Sequence, residues 1–237
     1  MVFVIGDIHG ELSKLRLLLS KIKKLDKDPT CIFVGDYVDK GSDSFGVLKE
    51  LISFKKENHC LFLWGNHDFQ WWNLPNKNSI QNYLSKYGGV DTMKSLGASN
   101  ILEAREILID NFGGFFQKFK KYAFVDNYFI SHSGINPKFI NEEHLWNISI
   151  NHFLFNREEF INLKSLYKGK YKTIFGHTAF EHPYVDDYKI GIDTGACYHK
   201  NRSLTAVCLD ENYFVYSNNN ILQPIDDLKN KNPKIIR

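Results

Sequence analysis

The sequence lacks the features that direct a chain to a membrane or to the secretory route. None of its 237 residues lies in a run approaching the roughly 18 consecutive apolar residues of a membrane helix. The apolar run at residues 2–5 is short, with no basic segment before it and no small-residue cleavage site after it. We therefore expect a cytoplasmic protein with no membrane association.

The sequence also has few cysteines and only a small excess of positive charge. The four cysteines, Cys31, Cys60, Cys197 and Cys208, lie in or beside apolar runs and form no C-x-x-C pair, which is typical of buried free thiols rather than disulfides or a zinc knuckle. Lysine and arginine number 30 against 27 aspartates and glutamates. A formal charge of +3 gives no strong signal for nucleic acid.

The hydrophobic pattern of the first part of the chain predicts alternating strands and helices. Apolar runs at 2–5, 31–34 and 60–64 predict strands, and apolar positions on one helical face within 12–22 and 47–52 predict the helices between them. This βαβαβ order requires a parallel sheet with right-handed crossovers.

The rest of the chain changes in character. Residues 69–120 look mostly helical, and short runs with turns from 122 onward predict a second, mostly β sheet packed on the first. Residues 218–237 are rich in asparagine and lysine, which indicates a polar tail. With 43% hydrophobic residues, we expect a single domain at 1–217 with a helical insert at about 69–120.

Polar side chains follow the predicted strands at the points where they end. The blocks are "GDIHG", "GDYVDKG", "GNHD", "HSG" and "GHT". One such fragment alone would be a turn with a satisfied side chain, but five in order indicate a site at the carboxyl edge of an open sheet. The oxygen and nitrogen donors are Asp7, His9, Asp36, Asn66, His132 and His177.

This donor set contains no thiolate and suits two divalent ions about 3.5–4 Å apart, one carboxylate bridging both. Asp36 lies on the middle of the three segments and is our predicted bridge. Five other histidines follow no such strand end, and we expect them to be ordinary surface or core residues: His59, His144, His152, His182 and His199.

These five blocks resemble the signature of the metallophosphoesterase superfamily, in its phosphoprotein phosphatase branch. "LFNRE" at 154–158 and "IDTG" at 192–195 are similar to bacterial and phage members, which include the bacteriophage lambda protein phosphatase and the symmetrical diadenosine tetraphosphatases. The resemblance covers about residues 2–217 and implies the calcineurin-like α/β fold, a sandwich of two sheets flanked by helices.

The resemblance also implies the cofactor and a role for each residue. Two divalent ions, manganese first and iron, zinc, cobalt or nickel as options, would be held by Asp7, His9 and Asp36 and by Asn66, His132 and His177. The catalytic pair would be His67 with Asp68 orienting it. The phosphate-binding residues would be Arg157, Lys40 and Asn66, and Gly195 would form part of the pocket wall.

Two residues depart from the family pattern. Lys40 stands where the family block has an arginine, and it either contacts substrate phosphate as a point charge or forms only a surface salt bridge. Asp68 stands where most protein phosphatases of the branch have glutamate, which favours the dinucleotide-cleaving members.

Three functions remain open. The first is a phosphomonoesterase of the serine/threonine protein phosphatase type, in which a metal-bridging hydroxide attacks phosphorus in line. The second is a symmetrical dinucleoside tetraphosphate hydrolase, and the third is an inactive binding module. The substrate would be a phosphorylated protein, a small phosphate ester or a nucleotide.

Specificity is expected to come from the segment that holds Trp71, Trp72, Tyr83, Tyr87 and residues 112–116. The two tryptophans either stack on a base or a peptide flank, or pack into the core.

Overall fold

The computed structural model describes residues 1–73, 86–142, 144–163, 169–229 and 231–236. The α-helices of these residues are α1 (Leu12–Leu25), α2 (Ser44–Glu57), α3 (Asn66–Asn73), α4 (Gly89–Ser95), α5 (Ile101–Phe116) and α6 (Glu158–Ile161). The strands are β1 (Val2–Ile5), β2 (Thr30–Phe33), β3 (His59–Phe62), β4 (Tyr122–Val125), β5 (Tyr128–Ser131), β6 (Lys172–Phe175), β7 (Tyr184–Val185), β8 (Lys189–Gly191), β9 (Thr205–Cys208), β10 (Tyr213–Tyr216) and β11 (Leu222–Pro224).

The first sheet has the order β11-β10-β9-β1-β2-β3. Its β1, β2 and β3 are parallel, with Val4 opposite Ile32 and Ile32 opposite Leu61. The predicted βαβαβ unit is therefore confirmed. The sequence pattern predicts β9 and β10 in the second sheet, but β9 pairs antiparallel with β1. An apolar run indicates a strand without indicating its partner, because pairing depends on distant residues.

The second sheet has the order β4-β5-β6-β8-β7. The hairpin β4–β5 is antiparallel, whereas β5, β6 and β8 run parallel to one another. The carboxyl ends of β5, β6 and β8 therefore share one edge, as those of β1, β2 and β3 do in the first sheet.

The two sheets pack face to face because the side chains of each strand alternate between its faces. Val4 and Ile32 of the first sheet lie in one buried cluster with Ile130 of the second. Phe3 and Phe33 point to the opposite face, where they pack against the helices. This is the predicted sandwich flanked by helices.

The segment at 69–120 is helical where it is described, but its aromatic side chains are mostly core. Trp71 is 1% exposed, and Phe116 is fully buried. Trp72 packs against Phe116 with ring centroids 6.2 Å apart. The core-packing alternative therefore describes both tryptophans. Tyr87 is exposed, and Tyr83 lies outside the described residues.

The region from residue 218 is not simply an exposed tail. It contributes β11 to the first sheet, and Ile225 and Leu228 are buried in the cluster between the sheets. Farther on, Ile235 forms an isolated bridge with Phe180. The prediction of a polar tail is wrong here because a few apolar side chains can anchor a polar segment.

All four cysteines are free thiols, as predicted, and Cys31 and Cys208 are buried. No helix in the described part of the chain has the length and apolar character needed to span a bilayer.

Candidate metal centre

The parallel strands of both sheets deliver polar side chains to a common edge. Asp7 follows β1, Asp36 follows β2, and Asn66 begins α3 just after β3. From the second sheet, His132 follows β5 and His177 follows β6. All five side chains are less than a tenth exposed, as is that of His9.

Asp36 lies between two groups of donors. Its Oδ2 is 3.3 Å from His9 Nε2, and its Oδ1 is 3.5 Å from His132 Nε2. Two sets of potential metal ligands share this carboxylate, each with its donor atoms within 4.8 Å of one another: His9, Asp36 and His67, and Asp36, His132 and His177. Asp36 therefore lies where a carboxylate that bridges two ions would lie.

The histidines beside Asp36 are oriented by the backbone. The Nδ1 nitrogen of His9 donates to the carbonyl of Val38 at 2.9 Å, and that of His132 donates to the carbonyl of Val34 at 3.0 Å. Each ring therefore directs Nε2 toward Asp36. Metal-binding histidines typically have their other nitrogen fixed by such a hydrogen bond.

Asp7 supplies a further sign of a cation site. Its Oδ2 accepts the backbone N–H of His177 at 2.9 Å, but its buried Oδ1 has no hydrogen-bond partner among the described residues. Burial, with Asp193 and Asp36 nearby, raises the pKa of Asp7 well above its usual range. A bound divalent ion would relieve this unpaired carboxylate oxygen, so these residues fit a metal centre.

Two glycines are required by the close approach of backbone to these carboxylates. A Cβ at Gly65 would lie 2.0 Å from the backbone nitrogen of Asp36 and 2.2 Å from its Oδ1. A Cβ at Gly176 would lie 2.0 Å from Asp7 Oδ1. Only glycine fits these positions, which explains why "GNHD" and "GHT" each begin with it.

The backbone of the site is in unusual conformations. Five site residues that are not glycine have positive φ: His9, Asp36, Asp39, Lys40 and His177. Left-handed backbone at residues other than glycine is strained, and such strain concentrates at functional sites.

His67 is oriented by Asp39, not by Asp68. The Nδ1 nitrogen of His67 donates to Asp39 Oδ2 at 2.8 Å, and Trp71 Nε1 donates to Asp39 Oδ1 at 2.8 Å. Thr92 Oγ1 also donates to Asp39 Oδ1. The predicted pairing of Asp68 with His67 is therefore wrong.

Asp68 instead holds the loop after β2. Its carboxylate accepts backbone N–H groups from Asp36 at 2.7 Å, Tyr37 at 2.9 Å, Val38 at 3.3 Å and Gly65 at 3.2 Å. These bonds turn the side chain away from the His67 ring and fix the backbone that carries Asp36.

The buried histidines differ in the direction in which their pKa values shift. Burial lowers the pKa of His9 to about 4 and that of His177 well below its usual range, which favours the neutral form that binds metal. Burial also lowers the pKa of His67, but the charges of Asp36 and Asp39 outweigh it and leave that pKa raised.

Lys40 points into the site. Its Nζ donates to His9 Nε2 at 2.9 Å and lies 5.4 Å from the ring centre of Tyr198. Among the described residues, Lys40 does not form the surface salt bridge that was the alternative prediction.

The remaining predicted residues also border the site. Asn66 Oδ1 lies 2.9 Å from His132 Nε2. Arg157 is exposed, and its Nη1 donates to the carbonyl of His177 at 3.2 Å.

The sequence reasoning missed two carboxylates. Asp39 was overlooked, although it lies in the same "GDYVDKG" block as Asp36. Asp193 follows β8 in the "IDTG" block and is 5% exposed, and burial raises its pKa to about 6. Its position after a parallel strand was the signal that could have identified it.

The chain belongs to the calcineurin-like phosphoesterase family, whose model matches residues 1–181. Members of this family use a dinuclear metal centre, and the chain carries His and Asp groups that could hold the ions. The protein is a metal-dependent phosphoric ester hydrolase.

Two relatives that match most of the chain carry different functional names. The chain is 27% identical over 230 residues to the asymmetrical bis(5'-nucleosyl)-tetraphosphatase of Oceanobacillus iheyensis, with 90% of each chain covered. It is 26% identical over 208 residues to serine/threonine-protein phosphatase 1 of Salmonella typhimurium, with 87% of this chain and 91% of that protein covered.

The fold is shared with solved structures. The cold-active protein tyrosine phosphatase of a psychrophilic Shewanella superposes with a TM-score of 0.64 at 15% identity, over 92% of this chain and 78% of that one.

Proposed function

We propose that this protein is a dinuclear-metal phosphatase that hydrolyses phosphomonoesters, including phosphoserine and phosphothreonine. The observation that carries the proposal is the pair of donor groups sharing Asp36. Its two carboxylate oxygens face histidines of different sheets, His9 and His132. This arrangement suits two ions held side by side.

The ligand roles follow from position. Asp7, His9 and Asp36 would hold one ion, and Asp36, Asn66, His132 and His177 the other. When bound, two such ions supply a nucleophilic water at neutral pH and neutralise charge on the phosphate. Manganese is the first candidate by resemblance to the family, and oxygen and imidazole donors without thiolate also suit iron, zinc, cobalt or nickel.

The side chains around this centre would handle the phosphate and the proton. His67 would donate a proton to the departing oxygen, with Asp39 holding its ring through Nδ1. Lys40 and Arg157 carry positive charge at the site and would neutralise the non-bridging phosphate oxygens.

Dinucleoside tetraphosphate hydrolysis is the second candidate. The Oceanobacillus relative carries that name and matches this chain across 90% of its length, and the aspartate at position 68 favours the same group. That relative is the asymmetrical type, whereas the sequence blocks resemble the symmetrical type. The products distinguish the two, because symmetrical cleavage of diadenosine tetraphosphate gives only ADP and asymmetrical cleavage gives ATP and AMP.

An inactive binding module is the weakest candidate. All six predicted ligands are present and buried, and His67 retains a carboxylate partner.

The test is a substrate panel with manganese-loaded protein. We expect p-nitrophenyl phosphate and a phosphoserine peptide to be hydrolysed, with kcat/KM for the peptide within about a hundredfold of that for diadenosine tetraphosphate. A greater preference for the dinucleotide, more than about 2.7 kcal/mol of differential transition-state binding, would favour the second candidate. No hydrolysis of any of the three would support the inactive module.

A further inference from the structure

A groove of about 810 Å³ opens beside the metal centre. It runs between the loop at 194–203, the loop at 181–183 and the segment at 216–223. Its volume lies within the range of about 300–1,000 Å³ that is usual for small-molecule sites. The roles proposed above for metal ligands and phosphate contacts do not use it.

Tyr198 connects this groove to the reaction site. Its side chain lines the groove, and Lys40 Nζ lies 5.4 Å from its ring centre. The same Nζ lies 2.9 Å from His9 Nε2. A substrate whose phosphate contacts Lys40 would therefore lie within reach of Tyr198.

The ring of Tyr198 is both available and held in place. Tyr198 is 47% exposed, although its backbone N–H donates to the carbonyl of Gly195 at 3.0 Å. On either side of it, Lys14 Nζ donates to the carbonyls of Ala196 and His199. An exposed aromatic ring on an anchored loop can bind a flat ligand at a small entropic cost.

The polar groups of the groove suit a ligand with hydrogen-bonding edges, and its lining includes both Glu181 and Arg202. Arg202 donates to the carbonyl of Glu181 at 3.2 Å and forms no salt bridge with any carboxylate in the described ranges. His182 and His199 add imidazoles, and Asn201 adds an amide.

We propose that this groove binds the nucleoside end of a nucleoside polyphosphate, with the base stacked on Tyr198. The inference rests on the proposed dinuclear-metal phosphatase centre and assigns a specificity residue for its second candidate substrate, a dinucleoside tetraphosphate. Stacking on an aromatic ring accepts any base, since every base has a π face. Trp71 and Trp72, for which base stacking was one of two alternatives, pack into the core instead.

The experiment compares Tyr198→Ala, Tyr198→Phe and Trp146→Ala in manganese-loaded protein. Trp146 is 62% exposed and does not line the groove, which makes it the matched loss of an aromatic side chain. The measured quantity is kcat/KM for diadenosine tetraphosphate divided by kcat/KM for p-nitrophenyl phosphate, which has no nucleoside. We expect Tyr198→Ala to lower this ratio by about tenfold or more, the scale of one base stack. Tyr198→Phe and Trp146→Ala should leave it within about twofold, because the first keeps the ring and the second lies elsewhere.

The outcomes separate this inference from the proposed function. If the wild type hydrolyses p-nitrophenyl phosphate but not the dinucleotide, or if Tyr198→Ala leaves the ratio unchanged, the groove assignment is wrong and the phosphatase function stands. An equal fall with Trp146→Ala would also overturn the assignment. If the metal-loaded wild type hydrolyses neither substrate, the proposed function itself fails.

Discussion

At the residue scale, the account depends first on the two oxygens of Asp36. We expect Asp36→Asn to abolish activity and to lower bound metal from about two ions per chain, because a neutral amide cannot offset two dications. Metal content by atomic emission and kcat on p-nitrophenyl phosphate measure both effects. Asp187→Asn is the matched control, since that surface carboxylate pairs only with Lys229 among the described residues. Metal content and activity equal to those of the control would contradict the bridging role.

His67 raises a sharper question because it could be either a ligand or a proton donor. If it is the donor, His67→Asn should lower kcat by about 10²–10⁴ on an alkyl phosphate while metal content stays nearly intact. The loss should be smaller on p-nitrophenyl phosphate, whose leaving group hardly needs a proton. Loss of an ion in this variant would make His67 a ligand instead.

Asp39→Asn tests the role of His67 through the hydrogen-bond partner of its Nδ1 nitrogen. Because Asp39 accepts the Nδ1 hydrogen bond of His67, we expect the variant to show the same substrate dependence, with a larger kcat loss on the alkyl phosphate. Equal losses on alkyl and aryl phosphates would indicate a general structural effect, since Asp39 also bonds Trp71 and Thr92.

Lys40 tests the phosphate contact. We expect Lys40→Ala to cost about 1–3 kcal/mol in kcat/KM, and Lys40→Arg to preserve activity, because both cations can pair with phosphate. Lys94→Ala, at an exposed surface lysine, should change nothing. If Lys40→Ala also leaves kcat/KM unchanged, Lys40 does not contact the substrate phosphate.

The structure brings the six predicted donors together at one edge, but it gives His67 a different partner from the one that the sequence predicts. The six predicted donors could be selected from the sequence because each lies just after an apolar run, and these runs end at the same edge of the sandwich. Asp39 could not be chosen over Asp68 from spacing alone. That choice depends on left-handed backbone at Asp39 and Lys40, and on four N–H groups that occupy Asp68.

At the scale of the elements, strand existence was predictable and strand partners were not. The runs that form β1, β2 and β3 pair in chain order, because α1 and α2 return the chain in parallel. No local pattern indicates that β9 returns antiparallel to β1, about two hundred residues along the chain.

The region after residue 218 provides a test of stability. Ile225 is 6% exposed, and Ile221 is 65% exposed four residues earlier. We expect Ile225→Ala to reduce the free energy of unfolding by about 2–4 kcal/mol through lost burial and a cavity, and Ile221→Ala by less than about 0.5 kcal/mol. Urea denaturation of the two variants measures both. Equal effects would mean that Ile225 does not belong to the core.

At the scale of the whole molecule, the two sheets contribute different residues to one site. The first sheet contributes Asp7, His9, Asp36 and Asn66, and the second contributes His132 and His177. Because Asp36 faces histidines of both sheets, metal binding should depend on the packing of the sandwich. The metal ions in turn should stabilise that packing by binding only the folded state.

Removal and return of metal tests the central claim most directly. Protein stripped with a chelator should be inactive toward p-nitrophenyl phosphate, since Asp7 and Asp36 alone provide no nucleophile activation of this kind. Activity should return on titration with manganese and reach its maximum at about two equivalents per chain. Full activity in the stripped wild type, or a maximum at one equivalent, would contradict a dinuclear centre bridged by Asp36.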